Sequence, residues 1–376
     1  MTHSTEQWEK VVKIISGKNQ KGVASLNGAY PIMGSGGLIG YADDYLCDAG
    51  TTIIGRKGTI NSPIFMNERF WNVDTAFGIQ PGDALVPKYL FFFCKSFNFK
   101  SLDKSTTIPS LTKRDLLKIE MPVPSIQEQE RIVTRIEELL SKLDNAMEML
   151  KKVRQQLAVY RQAVLKEAFS VCSTTVHLKS VCEHITDGDH MPPPKSVNGI
   201  PFIMISNIKN NRIDWTNTAH VGSEYFNRID ERRKPMKGDI LYTVTGSFGI
   251  PVMVDFEREF CFQRHIALLR PKDCINQQFL YYALQTPEVY MQSSKKATGT
   301  AQKTVGLGVL RNLEIPFESE LKCQKLIVAK LISRLSVCED VERTIDSALQ
   351  QSEAMRQSIL KQAFEGNFGG EEESHV

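Results

Sequence analysis

A chain of 376 residues exceeds one ordinary domain and gives room for two or three, each with a real core. Hydrophobic residues at 41% and charged residues at 24% exclude a fibrous or wholly disordered polymer. Lys and Arg total 46 against 43 Asp and Glu, so the net charge of +3 announces no polyanion partner, and any such binding has to rest on local patches.

Met1 to Lys13 mixes charges and lacks an apolar segment of the kind that directs secretion. The longest unbroken apolar run, Tyr89 to Cys94, is far short of the ~20 residues a membrane span needs. These features read as a cytoplasmic protein without a membrane partner. The eight cysteines include no C-x-x-C pair, which fits reduced thiols.

The first globular part, 1–125, reads as mixed α/β, with short β-rich runs between Gly, Asn and Asp turns. Cations stand at Lys18 and Lys21. Tyr30-Pro-Ile-Met33 then leads into Gly34-Ser-Gly-Gly-Leu-Ile-Gly40, either a tight turn or a loop for backbone contact. After the strand Thr51–Ile54 comes Gly55-Arg-Lys-Gly-Thr59, which places Arg56 and Lys57 in a turn suited to phosphates or a guanine edge, or else a plain solvated turn. A short helix follows at Lys88–Lys95, and further cations at Lys113 and Arg114.

Pro122 and Pro124 announce a helix over 126–170, and neither Gly nor Pro occurs from Gln127 to Phe169. Two heptad series run along it: Ile132, Leu139, Ala146, Val153 and Tyr160, and Ile136, Leu143, Leu150, Leu157 and Val164. At ~1.5 Å per residue such a helix is on the order of 60 Å long and needs a partner helix.

The second globular part, 171–320, is again mixed α/β. Ile185-Thr-Asp-Gly-Asp-His190 presents His190 outward; a calcium loop is excluded because Asn198 stands where a bidentate Glu is required. The set Cys172, His177, Cys182, His184 and His190 matches no familiar zinc spacing. Strands are expected at Ile200–Ile205, Asp239–Val244 and Ile250–Val254, and a helix at Gln278–Leu284. Cations recur at Arg232-Arg-Lys234 and Lys295-Lys296. The segment Val244-Thr-Gly-Ser-Phe-Gly249 is the counterpart of the Gly55 turn with hydroxyls in place of cations. A second helix over 321–366 offers Ile327, Leu331, Cys338, Val341, Ile345, Ala348, Met355 and Ile359, with Arg334 and Ser352 where the first places Leu139 and Leu157. Residues 367–376 read as a disordered tail.

The order of elements is the same twice. Arg161-Gln-Ala-Val-Leu-Lys-Glu-Ala-Phe169 recurs at one constant offset as Arg356-Gln-Ser-Ile-Leu-Lys-Gln-Ala-Phe364, with six of nine residues identical. Ile119-Glu-Met-Pro122 matches Leu313-Glu-Ile-Pro316, and Gln80-Pro81 before Tyr89-Leu-Phe-Phe92 matches Arg270-Pro271 before Phe279-Leu-Tyr-Tyr282. If the copies are related by a two-fold, the helices pair antiparallel and hold the globular parts at opposite ends of a rod. The other solution is pairing with a second chain.

No local signature of catalysis is present. Asn61-Ser-Pro-Ile-Phe65 does not fit an amino-methyltransferase motif, Ile39 breaks G-x-G-x-x-G, and no Walker, H-E-x-x-H or G-x-S-x-G string occurs. The chain reads as non-enzymatic.

On the tandem globular-helix repeat, the entry Pro122 and Pro124 with Gln127-Glu-Gln-Glu-Arg-Ile132, the Leu-Lys-x-Ala-Phe helix ends, and the strings at 30–36, 55–58, 185–190 and Ile203-Met-Ile-Ser-Asn207, the chain resembles the DNA-specificity subunit of type I restriction-modification systems. It departs from that pattern at Glu318–Gln324, where the entry to the second helix is less regular. The resemblance implies two target recognition domains, separated by an antiparallel coiled coil, that read a bipartite, asymmetric site in double-stranded DNA. It also implies docking of two methyltransferase subunits, which hold S-adenosylmethionine, and of restriction or translocase subunits, which use ATP and Mg.

Candidate DNA contacts are then Lys18, Lys21, Ser35, Arg56, Lys57, Thr59, Lys113 and Arg114 in the first domain. Those in the second are His190, Asn207, Arg233, Thr245, Ser247, Lys295 and Lys296. Helix-pairing residues are Ile132, Ile136, Leu139, Leu143, Leu150, Leu157, Ile327, Leu331, Ile345 and Ile359, and no metal is expected. The competing reading from the residues is a coiled-coil adaptor without DNA readout, which lacks the steep salt dependence of phosphate binding.

Overall fold

The computed structural model describes residues 4–190, 193–300 and 302–365, so the tail expected at 367–376 lies outside the described residues. Two compact units emerge: residues 1–151 with 346–376, and residues 152–345. Each of the two long helices therefore gives one half to each unit.

In the first unit β1 (Thr5–Gln7) leads through α1 (Trp8–Val11) into β2 (Val12–Ser16). Next come β3 (Tyr30–Gly34), β4 (Gly37–Ala42), β5 (Thr52–Gly55), β6 (Ile64–Phe65), β7 (Trp71–Asn72) and β8 (Ala76–Pro81). After these come α2 (Pro87–Ser96), α3 (Lys113–Leu116), β9 (Glu120–Pro122) and the long helix α4 (Ile126–Phe169). One sheet has the order β2-β8-β5-β6 and a second the order β4-β3-β7, while β1 pairs with β9. Proline at the first position of α2 sets its start, and its Tyr89, Leu90, Phe92, Phe93 and Cys94 are buried. They close the main core with Trp8, Ile54, Phe77 and Ile79.

The second unit repeats this plan. It contains β10 (Thr174–His177), α5 (Leu178–Val181), β11 (Cys182–Asp187), β12 (Ile200–Ile203), β13 (Ile208–Lys209), β14 (Arg212–Ile213), β15 (Ala219–Val221), α6 (Ser223–Arg228) and β16 (Ile240–Thr243). Then follow β17 (Pro251–Met253), β18 (Cys261–Phe262), β19 (Ile266–Pro271), α7 (Gln277–Ala283), α8 (Pro287–Lys296), α9 (Leu307–Arg311), β20 (Glu314–Phe317) and the long helix α10 (Leu321–Phe364). The sheets β11-β19-β16-β17 and β15-β12-β18 match those of the first unit, and β10 pairs with β20 as β1 does with β9. The unit also holds the bidentate buried pair Arg270–Asp239, with both hydrogen bonds at 2.9 Å.

Within each unit the start of one long helix lies beside the end of the other, so they pair antiparallel inside the chain. In the first unit Ile132, Val133 and Ile136 share a core with Leu360 and Ala363, and Phe364 packs its ring on Tyr89 and Phe93. In the second, Ile327, Val328, Leu331 and Leu335 share a core with Val164 and Leu165, and Phe169 packs on Phe279. The Leu-Lys-x-Ala-Phe strings are thus docking ends: each helix finishes by placing a phenylalanine on a domain.

Two expectations about the helices change. Ile136, Leu143, Leu150, Leu157 and Val164 are buried or half-buried, but Ala146, Val153 and Tyr160 of the other proposed series are exposed. Beside the buried Ile132 and the half-buried Leu139, the positions one residue later, Val133, Leu140, Met147, Arg161 and Ala168, also face inward, while Arg154 between them is exposed. Arg161 lies half-buried among them, as a long aliphatic stem with a polar tip allows. Arg356, the repeat equivalent of Arg161, pairs with Asp144 across the helices. In α10, Val341 and Met355 are exposed, Val328 and Leu335 take the seam instead, and Ser352 is buried at the seam position expected of it.

The entry to α10 is also more regular than its residues suggest. Buried Gln129 accepts a hydrogen bond from the Val86 amide and donates to Ala84 and Pro124 carbonyls. Gln324 does the same with the Asn276 amide and the Cys274 and Glu318 carbonyls.

Candidate functional site

In each unit the loops at one end of the larger sheet form a rim, held by main-chain hydrogen bonds. In the first unit the Gly17 amide donates to Ala76 O, Lys18 to Asn72 O, Val73 to Met33 O, Arg56 to Thr75 O, Gly58 to Pro109 O and Leu111 to Arg56 O, at 2.8 to 3.3 Å. In the second unit the Gly188 amide donates to Ile266 O, Asp189 to Phe262 O, Gln263 to Ile203 O, Val244 to His265 O, Gly246 to Lys303 O and Val305 to Val244 O, over the same range of distances. Six bonds recur in the same order, so the frame is one and the same built twice.

Glycine is required at two points of this frame. A Cβ on Gly17 or Gly188 would stand 1.8 or 2.1 Å from a carbonyl oxygen, of Val73 and Phe262 respectively. Gly58 and Gly246 hold φ at +78 and +69, a conformation that costs other residues dearly.

The side chains on the two frames differ. In the first unit the exposed Lys18 and Lys57 and the half-exposed Arg56 stand around the loop Val73–Thr75, with the Arg56 guanidinium 5.7 Å from the Phe77 ring centre. Ser35 forms, with Gly36, the two-residue turn joining β3 and β4, and its Cβ lies beside Gly55. Thr59 closes the cationic loop. Lys113 donates to Ile14 O at 2.9 Å, Arg114 is exposed, and Lys21 lies away on the loop before β3. Just past that turn, β4 carries Leu38 and Ile39, 57% and 58% exposed.

In the second unit His190 and Arg233 both reach Asp187, at 2.8 and 3.5 Å. Thr245 is nearly buried and bonded to Thr304 at 3.2 Å, whereas Ser247 is exposed. Lys295 and Lys296 are exposed at the end of α8, ahead of Thr298, which pairs with Thr304. Asn207 corrects the expectation placed on it. It is 5% exposed, and its amide is spent on Met204 N and Asp214 O, holding a local turn rather than facing a ligand. A cleft of about 580 Å³ opens beside this rim, with Phe262 and Tyr225 among its walls and Arg228, Arg232 and Arg233 as its cations.

Residues missed in the sequence are Asp74 on the first rim and Gln263, Arg264, His265 and Lys303 on the second. Extending the match of Gln80-Pro81 with Arg270-Pro271 backwards by a few residues sets Asp74 opposite Arg264, which was the available signal. Burial pushes the Cys47, Cys182 and Cys261 thiols up to about 12. Among the described residues no group of three or more His, Cys, Asp or Glu side chains is placed to hold a metal, and no helix is long and apolar enough to cross a membrane.

The profile of the type I restriction modification DNA specificity domain matches residues 8–158 and again 173–351. The chain belongs to that family. It is 25% identical over 354 residues to the type I restriction enzyme EcoBI specificity subunit of Escherichia coli, covering 84% of this chain and 73% of that protein. It is also 25% identical over 313 residues to the MjaVIII specificity subunit of Methanocaldococcus jannaschii, covering 76% and 69%. Two solved structures share the fold. One, from work on complex assembly and conformational transition of the type I R-M system, has a TM-score of 0.74 at 18% identity and covers 97% of this chain and 98% of its own. The other, the HsdS subunit from Thermoanaerobacter tengcongensis, has a TM-score of 0.51 at 18% identity, covering 98% and 97%.

Proposed function

We propose that this chain is the non-catalytic specificity subunit of a type I restriction-modification complex and reads a bipartite, asymmetric DNA site, one half-site per domain. The observation that carries this is the doubled rim: one backbone frame, twice, with unlike side chains. A repeated frame supports a repeated kind of ligand, and the replacement of Arg56 and Lys57 by Val244 and Thr245 supports a different sequence at each half. Lys18, Arg56, Lys57, Arg264 and Lys303 supply cations for phosphates or base edges.

Adenine methylation belongs, on this reading, to two docked methyltransferase subunits carrying S-adenosylmethionine. Translocation and cleavage belong to restriction subunits using ATP and Mg. The exposed apolar residues along the long helices, such as Met149 and Val337, suit protein partners better than DNA.

The test is selection of binding sites from a randomised duplex library by the full chain, followed by affinity measured against salt. A bipartite, asymmetric motif with a steep negative slope of log K against log[salt] supports the reading. No enriched motif and no salt slope would leave the chain as an adaptor.

A further inference from the structure

We propose that Asp74 and Arg264, which hold the same place on the two rims, are base-reading residues of opposite chemistry: Asp74 accepts from a cytosine amino group and Arg264 donates to a guanine edge. This rests on the reading of the chain as a DNA-specificity subunit.

Their equivalence is a matter of backbone. Asp74 lies between Val73, whose amide donates to Met33 O, and Thr75, whose carbonyl receives Arg56 N–H. Arg264 lies between Gln263, whose amide donates to Ile203 O, and His265, whose carbonyl receives Val244 N–H. The main chain is pinned on both sides, so the root of each side chain is held before any ligand arrives. Both residues are exposed, and among the described residues neither side chain makes a hydrogen bond, an ion pair or a ring contact.

An unpartnered carboxylate on the loop beside Lys18, Arg56 and Lys57 is out of place on a surface meant only for phosphates, because it repels them. Arg56 does not neutralise it; its guanidinium faces the Phe77 ring instead. The donors such a carboxylate meets in a DNA groove are base amino groups, and acidic side chains pair with cytosine N4. On the second rim the neighbouring carboxylates are already taken. Asp187 holds His190 and Arg233, and Asp189 accepts from the Tyr225 hydroxyl. Arg264 is therefore left with a free guanidinium fork, whose geometry matches guanine O6 and N7.

The experiment is site selection from randomised duplexes by the full chain, comparing wild type with Asp74→Asn, Arg264→Gln and, as a control away from the rim, Asp43→Asn. We expect the first variant to lose a C·G preference of roughly 5- to 150-fold at one position of one half-site, and the second to lose a similar G·C preference in the other half-site. A wild-type chain that enriches no motif overturns the proposed function itself. A wild-type motif that both variants retain at every position overturns only the roles of Asp74 and Arg264. Those roles fall equally if Asp74→Asn tightens, and Arg264→Gln weakens, binding to all sequences alike, since that is the mark of a phosphate effect.

Discussion

Replacing Gln129 by methionine keeps the volume of a fully buried side chain and removes its donors and acceptor. The Val86 amide loses an acceptor 2.8 Å away, and the Ala84 and Pro124 carbonyls lose donors at 2.8 and 2.9 Å. Stranding a buried polar group costs about 1–3 kcal/mol, so three such groups, with partial relief at the carbonyls, amount to about 3–5 kcal/mol. The loss falls where α2 begins and α4 enters the first domain. Hydrogen–deuterium exchange with peptide resolution is the assay, and the segment 84–90 should exchange roughly 100-fold faster or more, the equivalent of about 3 kcal/mol. The region around Gln324, which makes the same three bonds in the second unit, should keep its wild-type rate. Acceleration of the 84–90 segment by less than about 5-fold would refute the claim that Gln129 ties the helix to the domain.

Lys57→Ala should weaken recognition of one half-site only and lower the salt slope by about 0.9, as read from binding titrations at several salt concentrations; equal loss at both halves would contradict one domain per half-site. Asp239→Ala should cost about 3–5 kcal/mol in urea unfolding because it strips the largely buried Arg270 of its carboxylate and the Met236 amide of its acceptor, and joining it to Arg270→Met should return only the Arg270 share of that loss. Leu38→Ser with Ile39→Ser should leave the midpoint of a thermal melt within a degree or two, since both side chains are more than half exposed. With thiols raised to about 12, Cys47, Cys182 and Cys261 are about one part in ten thousand thiolate at pH 8, so brief maleimide treatment followed by mass mapping should label exposed Cys274 and leave these three untouched.

The architecture was legible in the sequence where repetition and backbone rules carry it. The offset between Arg161 and Arg356, the absence of Gly and Pro from Gln127 to Phe169, and the glycine turns after Ile54 and Val244 each correspond to a structural element. The seam departs from the expected one only in the later part of the first helix: Ile132 and Leu139 keep their places, but hydrophobicity alone selects Tyr160 over Arg161, whose aliphatic stem packs half-buried. The site was less legible. Lys18, Ser35, Arg56, Lys57 and Thr59 do converge on one rim, but Asn207 turned inward because an Asx side chain serves its own turn as readily as a ligand. Asp74 and Arg264 carry no local pattern at all; only their place on a repeated hydrogen-bonded frame sets them apart.

That frame has an evolutionary consequence. Most substitutions destabilise and are purged when they take a fold below its stability threshold, yet the bonds holding each rim run from main chain to main chain and make no demand on residues such as Lys18, Arg56, Asp74 or Arg264. On the proposed reading, exchanging any of them alters what the surface binds while leaving the fold's free energy nearly unchanged. New specificities are then reachable by single steps without a passage through unfolded intermediates, and each rim can drift independently of the other.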